Sequence, residues 1–238
     1  MQDENRDLDL DRQLDAWAAG QARAGSSPEL ARKVLDALEP SLIPIKPISS
    51  RRRLFLMLLA VFVAGTAGLV AFMSRIGVHL MTPVQIYGIS AILGGVGILF
   101  ALKLAEQMIP GSRPGIPVWG LLTLGGLAGF AGLATLFPWQ ASGNFVSEGW
   151  PCAVMELAIV IPAVAVFWVL ARKGALFPSA GLGATLTGLA VFLAVIPLQL
   201  HCMFQRAPHL LVWHGGTALL IVGLGAFVGY LRSYSWNS

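Results

Sequence analysis

Residues 54–73 read LFLMLLAVFVAGTAGLVAFM, twenty consecutive positions without a charged side chain. At 1.5 Å of rise per residue such a helix is about 30 Å long, the hydrocarbon thickness of a bilayer. Arg51, Arg52 and Arg53 stand directly before it, where basic side chains hold the cytoplasmic end of a span. A cleaved signal peptide would carry its apolar core within the first ~30 residues. Here that stretch is polar (DENRDLDLDRQLDAWAAGQARAGSS), so the run reads as a retained anchor.

The same length criterion predicts five further spans, near Val84–Leu104, Ile116–Phe137, Cys152–Leu170, Gly181–Leu198 and Leu210–Tyr230. Composition agrees: of 238 residues 56% are hydrophobic and 12% charged, with a mean hydropathy of +0.72, too apolar for a water-soluble domain. The fold class expected is all-α: a polytopic membrane protein of six transmembrane helices (residues 51–238), preceded by a short cytoplasmic helical segment and tether (residues 1–50). With the N-terminus inside, Lys46, Arg51, Arg52, Arg53, Lys103, Arg113, Arg172, Lys173 and Arg232 are cytoplasmic, against Arg75 and Arg206 outside, as the positive-inside rule requires. Both termini are then cytoplasmic. Bases that flank spans are engaged with lipid and argue against direct nucleic-acid binding.

Residues 1–50 hold nine of the twelve acids and six of the sixteen bases. Leu10, Leu14, Trp17 and Ala18 fall on one helical face. A second helix starts at Ser27-Pro28-Glu29, an N-cap, a first-turn proline and a first-turn acid, and carries Leu30, Val34, Ala37 and Leu38 on one side. Pro40, Pro44 and Pro47 make SLIPIKPISS a semi-rigid tether to Arg51. Helices this short are marginal alone in water, so their apolar faces need each other, the bilayer surface or a soluble partner. Balanced charge disfavours the lipid surface and favours a protein partner at Leu10, Leu14, Trp17, Leu30, Val34 and Leu38.

Only two cysteines occur, Cys152 and Cys202, and the topology puts both at the extracytoplasmic ends of spans four and five. If the host is a bacterium that side is the oxidising periplasm, where the pair suits a structural disulfide, a redox- or metal-responsive site, or packed thiols without a role. The same side gathers His79, His201, His209 and His214, with Glu156 four residues after Cys152. His201, His214 and Glu156 are candidate ligands for a transiently held zinc, copper or cadmium ion, although no CxxC or HExxH spacing occurs; no resident cofactor is expected. Glu156 within a span is a functional candidate on its own, its alternative being a carboxylate that snorkels to the interface. No nucleophilic triad, phosphate loop or catalytic carboxylate pair is legible, so an enzyme is not expected. Gly125/Gly129 and Gly225/Gly229 have GxxxG spacing, which suits packing within the bundle or a homo-oligomer seam.

The residues WPC at Trp150, ARKGALFPSAGLGATLTGLA, LQLHC ending at Cys202, LLVWHGG and GAFVGYLRSYSW, together with the basic entry IPIKPISSRRRL, resemble the NrsF-type family of bacterial membrane anti-sigma factors. The resemblance runs over about residues 150 to 236 and includes Cys152, Pro178, Gly181, His201, Cys202 and Trp213. It implies a six-span inner-membrane protein whose cytoplasmic N-terminus sequesters an extracytoplasmic-function (ECF) sigma factor until a signal arrives. A change at Cys152 and Cys202, by oxidation or metal capture, would trigger release. The competing class is a small channel or transporter, favoured by Glu156, Thr185, Thr187 and the prolines Pro162 and Pro197 within spans; the absence of an internal repeat weighs against it. A scaffold that anchors a complex is the third class.

Overall fold

The computed structural model describes residues 32–33, 50–73, 76–112, 115–140, 143–174 and 176–237. The chain divides into two units, Met1–Pro47 and Ile48–Ser238. In the first, Arg32 and Lys33 are helical and exposed; Leu10, Leu14, Trp17, Leu30, Val34 and Leu38 lie outside the described residues, as does the tether.

The second unit is all-α, and the elements follow the apolar runs. Helix α1 is Arg51–Phe72, α2 Pro83–Gln107, α3 Val118–Leu136, α4 Phe145–Ala171 and α5 Ala180–His201. The sixth span, Ala207–Tyr234, is composite: one α turn at Ala207–His209, a π-helical stretch Leu210–Gly216, then α6, Thr217–Asn237. All six are long and apolar enough to cross a membrane. Ser50 and Ser179 cap α1 and α5, and Thr82 with Gln85 forms a capping box at α2, followed by Pro83 in the first turn.

The start of the fourth span differs from the sequence reading: helix α4 begins at Phe145, seven residues before Cys152, and continues through Pro151. Pro162 and Pro197 lie inside α4 and α5, as the sequence reading has them. A proline removes one ladder donor, and neighbouring turns and helices inside a bundle tolerate that loss.

Helix α5 is the axis of the bundle. Of its most apolar 18 residues 83% are buried, against 17–44% in the other spans, and it touches α1, α2, α4 and α6. Small residues set these approaches. A Cβ on Gly183 would lie 2.0 Å from the Gly225 carbonyl oxygen, and one on Gly229 2.3 Å from that of Ser179, so α5 and α6 meet backbone to backbone. Gly225 and Gly229 therefore pack within the chain. Gly125 meets Val96 of α2, while Gly129 faces open space.

Contacts between connections define two ends. At one, Arg51 of α1 is ion-paired with Glu106 of α2, Lys103 Nζ lies 3.2 Å from the other Glu106 oxygen, and Gly174 beyond α4 abuts Met108. At the other, Gln85 Nε2 donates to the Leu136 carbonyl (2.7 Å) and the Ala207 N–H to that of Pro138 (3.0 Å), while Gly77 sits against the Cys202 carbonyl.

Candidate functional site

At this second end, opposite Arg51, three elements converge. Cys152 is in the third turn of α4, Cys202 caps the C-terminus of α5, and His209 and His214 belong to the start of the sixth span. Their ligand atoms all lie within 4.8 Å of one another. His209 Nε2 is the hub, 3.5 Å from Cys202 Sγ and 3.7 Å from Cys152 Sγ. Both cysteines are free thiols. Cys202, His209 and His214 are buried and Cys152 is half-buried. The Cys202 thiol, just past the end of α5, is pushed above the ordinary thiol range by its contact with Cys152 and by burial.

The loop from Cys202 to Arg206 is held by one side chain. Gln205 Nε2 donates to the carbonyls of Cys202 (2.7 Å) and Gln199 (2.9 Å), and its own carbonyl accepts from Gln199 Nε2 at 3.0 Å. The Phe204 N–H points to Cys202 Sγ at 3.4 Å, and the Phe204 ring packs on His209. The sixth span is pinned to α4 by Trp213, whose Nε1 donates to the Phe145 carbonyl at 3.1 Å and whose indole covers Gly149 so closely that a Cβ there would lie 2.0 Å from it.

The π-helical register supplies the geometry of the histidine pair. Residues five apart are about 140° apart around an α-helix at 100° per residue, so His209 and His214 would diverge. The i→i+5 ladder of Leu210–Gly216 widens the turn, and the two rings lie with centroids 5.8 Å apart.

Of the candidates read from the sequence, Cys152, Cys202 and His214 are brought together. His201 ends α5 outside the group, and His79 is exposed on the 3-10 turn Gly77–Leu80. Glu156 is fully buried one turn beyond Cys152 but is not among the four convergent residues. Neither of its oxygens has a hydrogen-bond partner among the described residues, nor does either ring nitrogen of His214 or Nδ1 of His209. His209, which the sequence places on this side but which was not among the candidate ligands, is the member at the centre of the group. Thr185 and Thr187 donate to the carbonyls of Gly181 (2.7 Å) and Gly183 (2.8 Å) in their own helix, so these hydroxyls are satisfied locally.

The family model described as negative regulator of sigma F, NrsF, matches residues 40–232. The chain belongs to the NrsF family. No curated protein and no solved structure matches it. The NrsF match takes in the tether from Pro40, the first five spans, the four convergent residues and the sixth span as far as Arg232. The role it indicates is negative regulation of a sigma factor, which is regulatory in kind.

Proposed function

We propose that this NrsF-family chain is an inner-membrane anti-sigma factor. Its N-terminal segment, residues 1–50, sequesters an ECF-type sigma factor on the cytoplasmic side through Leu10, Leu14, Trp17, Leu30, Val34 and Leu38. The six-span domain releases the sigma factor when a periplasmic redox or metal signal reaches Cys152 and Cys202.

The observation that carries this reading is the family match over residues 40–232, on a chain whose only two thiols share one group at the opposite end of the bundle from Arg51. Two amphipathic helices that cannot bury their apolar faces alone gain order when a soluble partner covers them. A signal on the far side can act only through a shift in packing between two states. The membrane domain binds lipid and needs no direct contact with nucleic acid.

The test is co-purification of the full chain with the ECF sigma factor of its host. Leu14→Glu and Trp17→Glu together should abolish capture while leaving the membrane domain folded. Absence of capture by the wild-type chain would overturn the proposal. For the sensory step, Cys152→Ser with Cys202→Ser should alter induction of the sigma-dependent genes, and an unchanged response would reject the role of the thiols.

A further inference from the structure

We infer that Cys152, Cys202, His209 and His214 form a closed four-ligand site for a thiophilic divalent cation of the zinc and cadmium class. The inference rests on the preceding reading of this group as the sensory end and selects cation capture as its chemistry.

The donor set decides the class. Two thiolates and two imidazoles suit tetrahedral d10 cations, whereas magnesium or calcium would call for oxygen donors. Metal–sulfur bonds of about 2.3 Å and metal–nitrogen bonds of about 2.0 to 2.1 Å give a tetrahedron with edges of about 3.3 to 3.8 Å. The Cys202–His209 and Cys152–His209 separations, 3.5 and 3.7 Å, already fall in that range. No separation in the group exceeds 4.8 Å, so closure needs side-chain movements of about 1 Å, well within rotamer adjustment.

A second observation points to a ligand independently of these distances. His214 is 1% exposed with neither ring nitrogen hydrogen-bonded among the described residues, and His209, 3% exposed, has an unpartnered Nδ1. Buried imidazoles are normally satisfied, and a cation gives His214 the partner it lacks. The π-helical stretch adds a third: such segments recur at functional sites, and this one brings together two histidines that an α-helix would part.

Charge balance makes the filled site compatible with burial. Capture replaces two S–H bonds by two metal–sulfur bonds, with no change of oxidation state, and releases two protons to solvent. Two thiolates neutralise the dication, so no net charge is left in an apolar surrounding. With four protein ligands the ion keeps no open position, the arrangement of a structural site and not a hydrolytic one. The ion would join α4, the loop after α5 and the sixth span at one point.

The test uses the reduced full chain in detergent micelles, titrated with Cd2+ and, as a spectroscopic probe, Co2+. Expected are one ion per chain, a thiolate-to-cadmium charge-transfer band, and cobalt d–d bands of tetrahedral intensity that Zn2+ abolishes by competition. His209→Ala and His214→Ala should each weaken Cd2+ binding at least tenfold, while His201→Ala should leave it unchanged. Should an alanine variant fail to fold, His209→Cys and His214→Cys keep the ligand count and should retain binding with a stronger charge-transfer band. Absence of a bound ion, or equal affinity in wild type and all histidine variants, would overturn the site. Sigma-factor capture is scored on the same preparation without metal: capture with no cation binding refutes the site alone, and cation binding without capture refutes the anti-sigma reading alone.

Discussion

Gly149→Ala tests whether the close seat of Trp213 on α4 holds together the end of the bundle that carries the Cys/His group. An added Cβ would lie 2.0 Å from the indole, which must retreat by about 1.4 Å to reach ordinary contact near 3.4 Å. The indole is a rigid plane, and its retreat breaks the 3.1 Å bond from Nε1 to the Phe145 carbonyl. Overpacking costs about 1–3 kcal/mol and the lost hydrogen bond about 0.5–1.5 kcal/mol. Against these, alanine gains up to about 1 kcal/mol over glycine in helix propensity. The net expectation is a loss of about 1–3 kcal/mol, measured by reversible unfolding in mixed detergent–SDS micelles. Gly126→Ala is the control, since nothing lies within 4 Å of its Cβ position; it should be neutral or stabilising by up to about 1 kcal/mol. Because His214 follows Trp213, Gly149→Ala should also weaken Cd2+ binding. Equal stability of the two variants, within about 0.5 kcal/mol, would refute the packing argument.

Glu106→Gln leaves Lys103, 9% exposed, without its carboxylate and should cost about 3 kcal/mol in the same unfolding assay, whereas Arg51→Ala, whose side chain is 55% exposed, should cost less than about 1 kcal/mol; a larger loss from Arg51→Ala would reverse this ranking of the two ion pairs. Gly229→Ala would press a methyl against the Ser179 carbonyl at 2.3 Å and should cost about 1–3 kcal/mol. Its effect should be non-additive with Gly183→Ala, because both open the same α5–α6 seam; strict additivity would count against a shared seam.

The six spans were legible because bilayer thickness imposes a length on any apolar run, and Leu54–Met73 meets it without ambiguity. The start of α4 was not, because Pro151 reads as a helix boundary in water, whereas the helix continues from Phe145 through it. Nor was the order of packing. Apolar runs such as 181–198 are greasy on every side, so periodicity cannot show that α5 is the buried axis; that follows from which glycines meet backbone, as Gly183 does at Gly225. Cys152, Cys202, His209 and His214 could all be brought to one end of the bundle by counting spans. The pairing of His209 with His214 was not legible, because it depends on a π-helical register and the sequence LLVWHGG carries no period that reveals one.

The same π-helical stretch bears on how a local event at the thiols could reach the far end. The sixth span carries the histidines at its start and the glycines Gly225 and Gly229 further along, where they lie against the α5 backbone. A backbone-to-backbone seam has no flexible side chains to absorb displacement, so α6 must slide or rotate as a unit if its first turns move. Such interfaces switch between discrete packings and do not deform continuously. A cation that fixed His209 and His214 to Cys152 and Cys202 would favour the π-helical register, and a return to α-helical register would rotate α6 against Gly183 and Ser179. Ser179 opens α5 at the end where Arg51 is paired with Glu106. The glycine seam thus runs from the span that carries His209 and His214 toward the end of the bundle at which Arg51 lies.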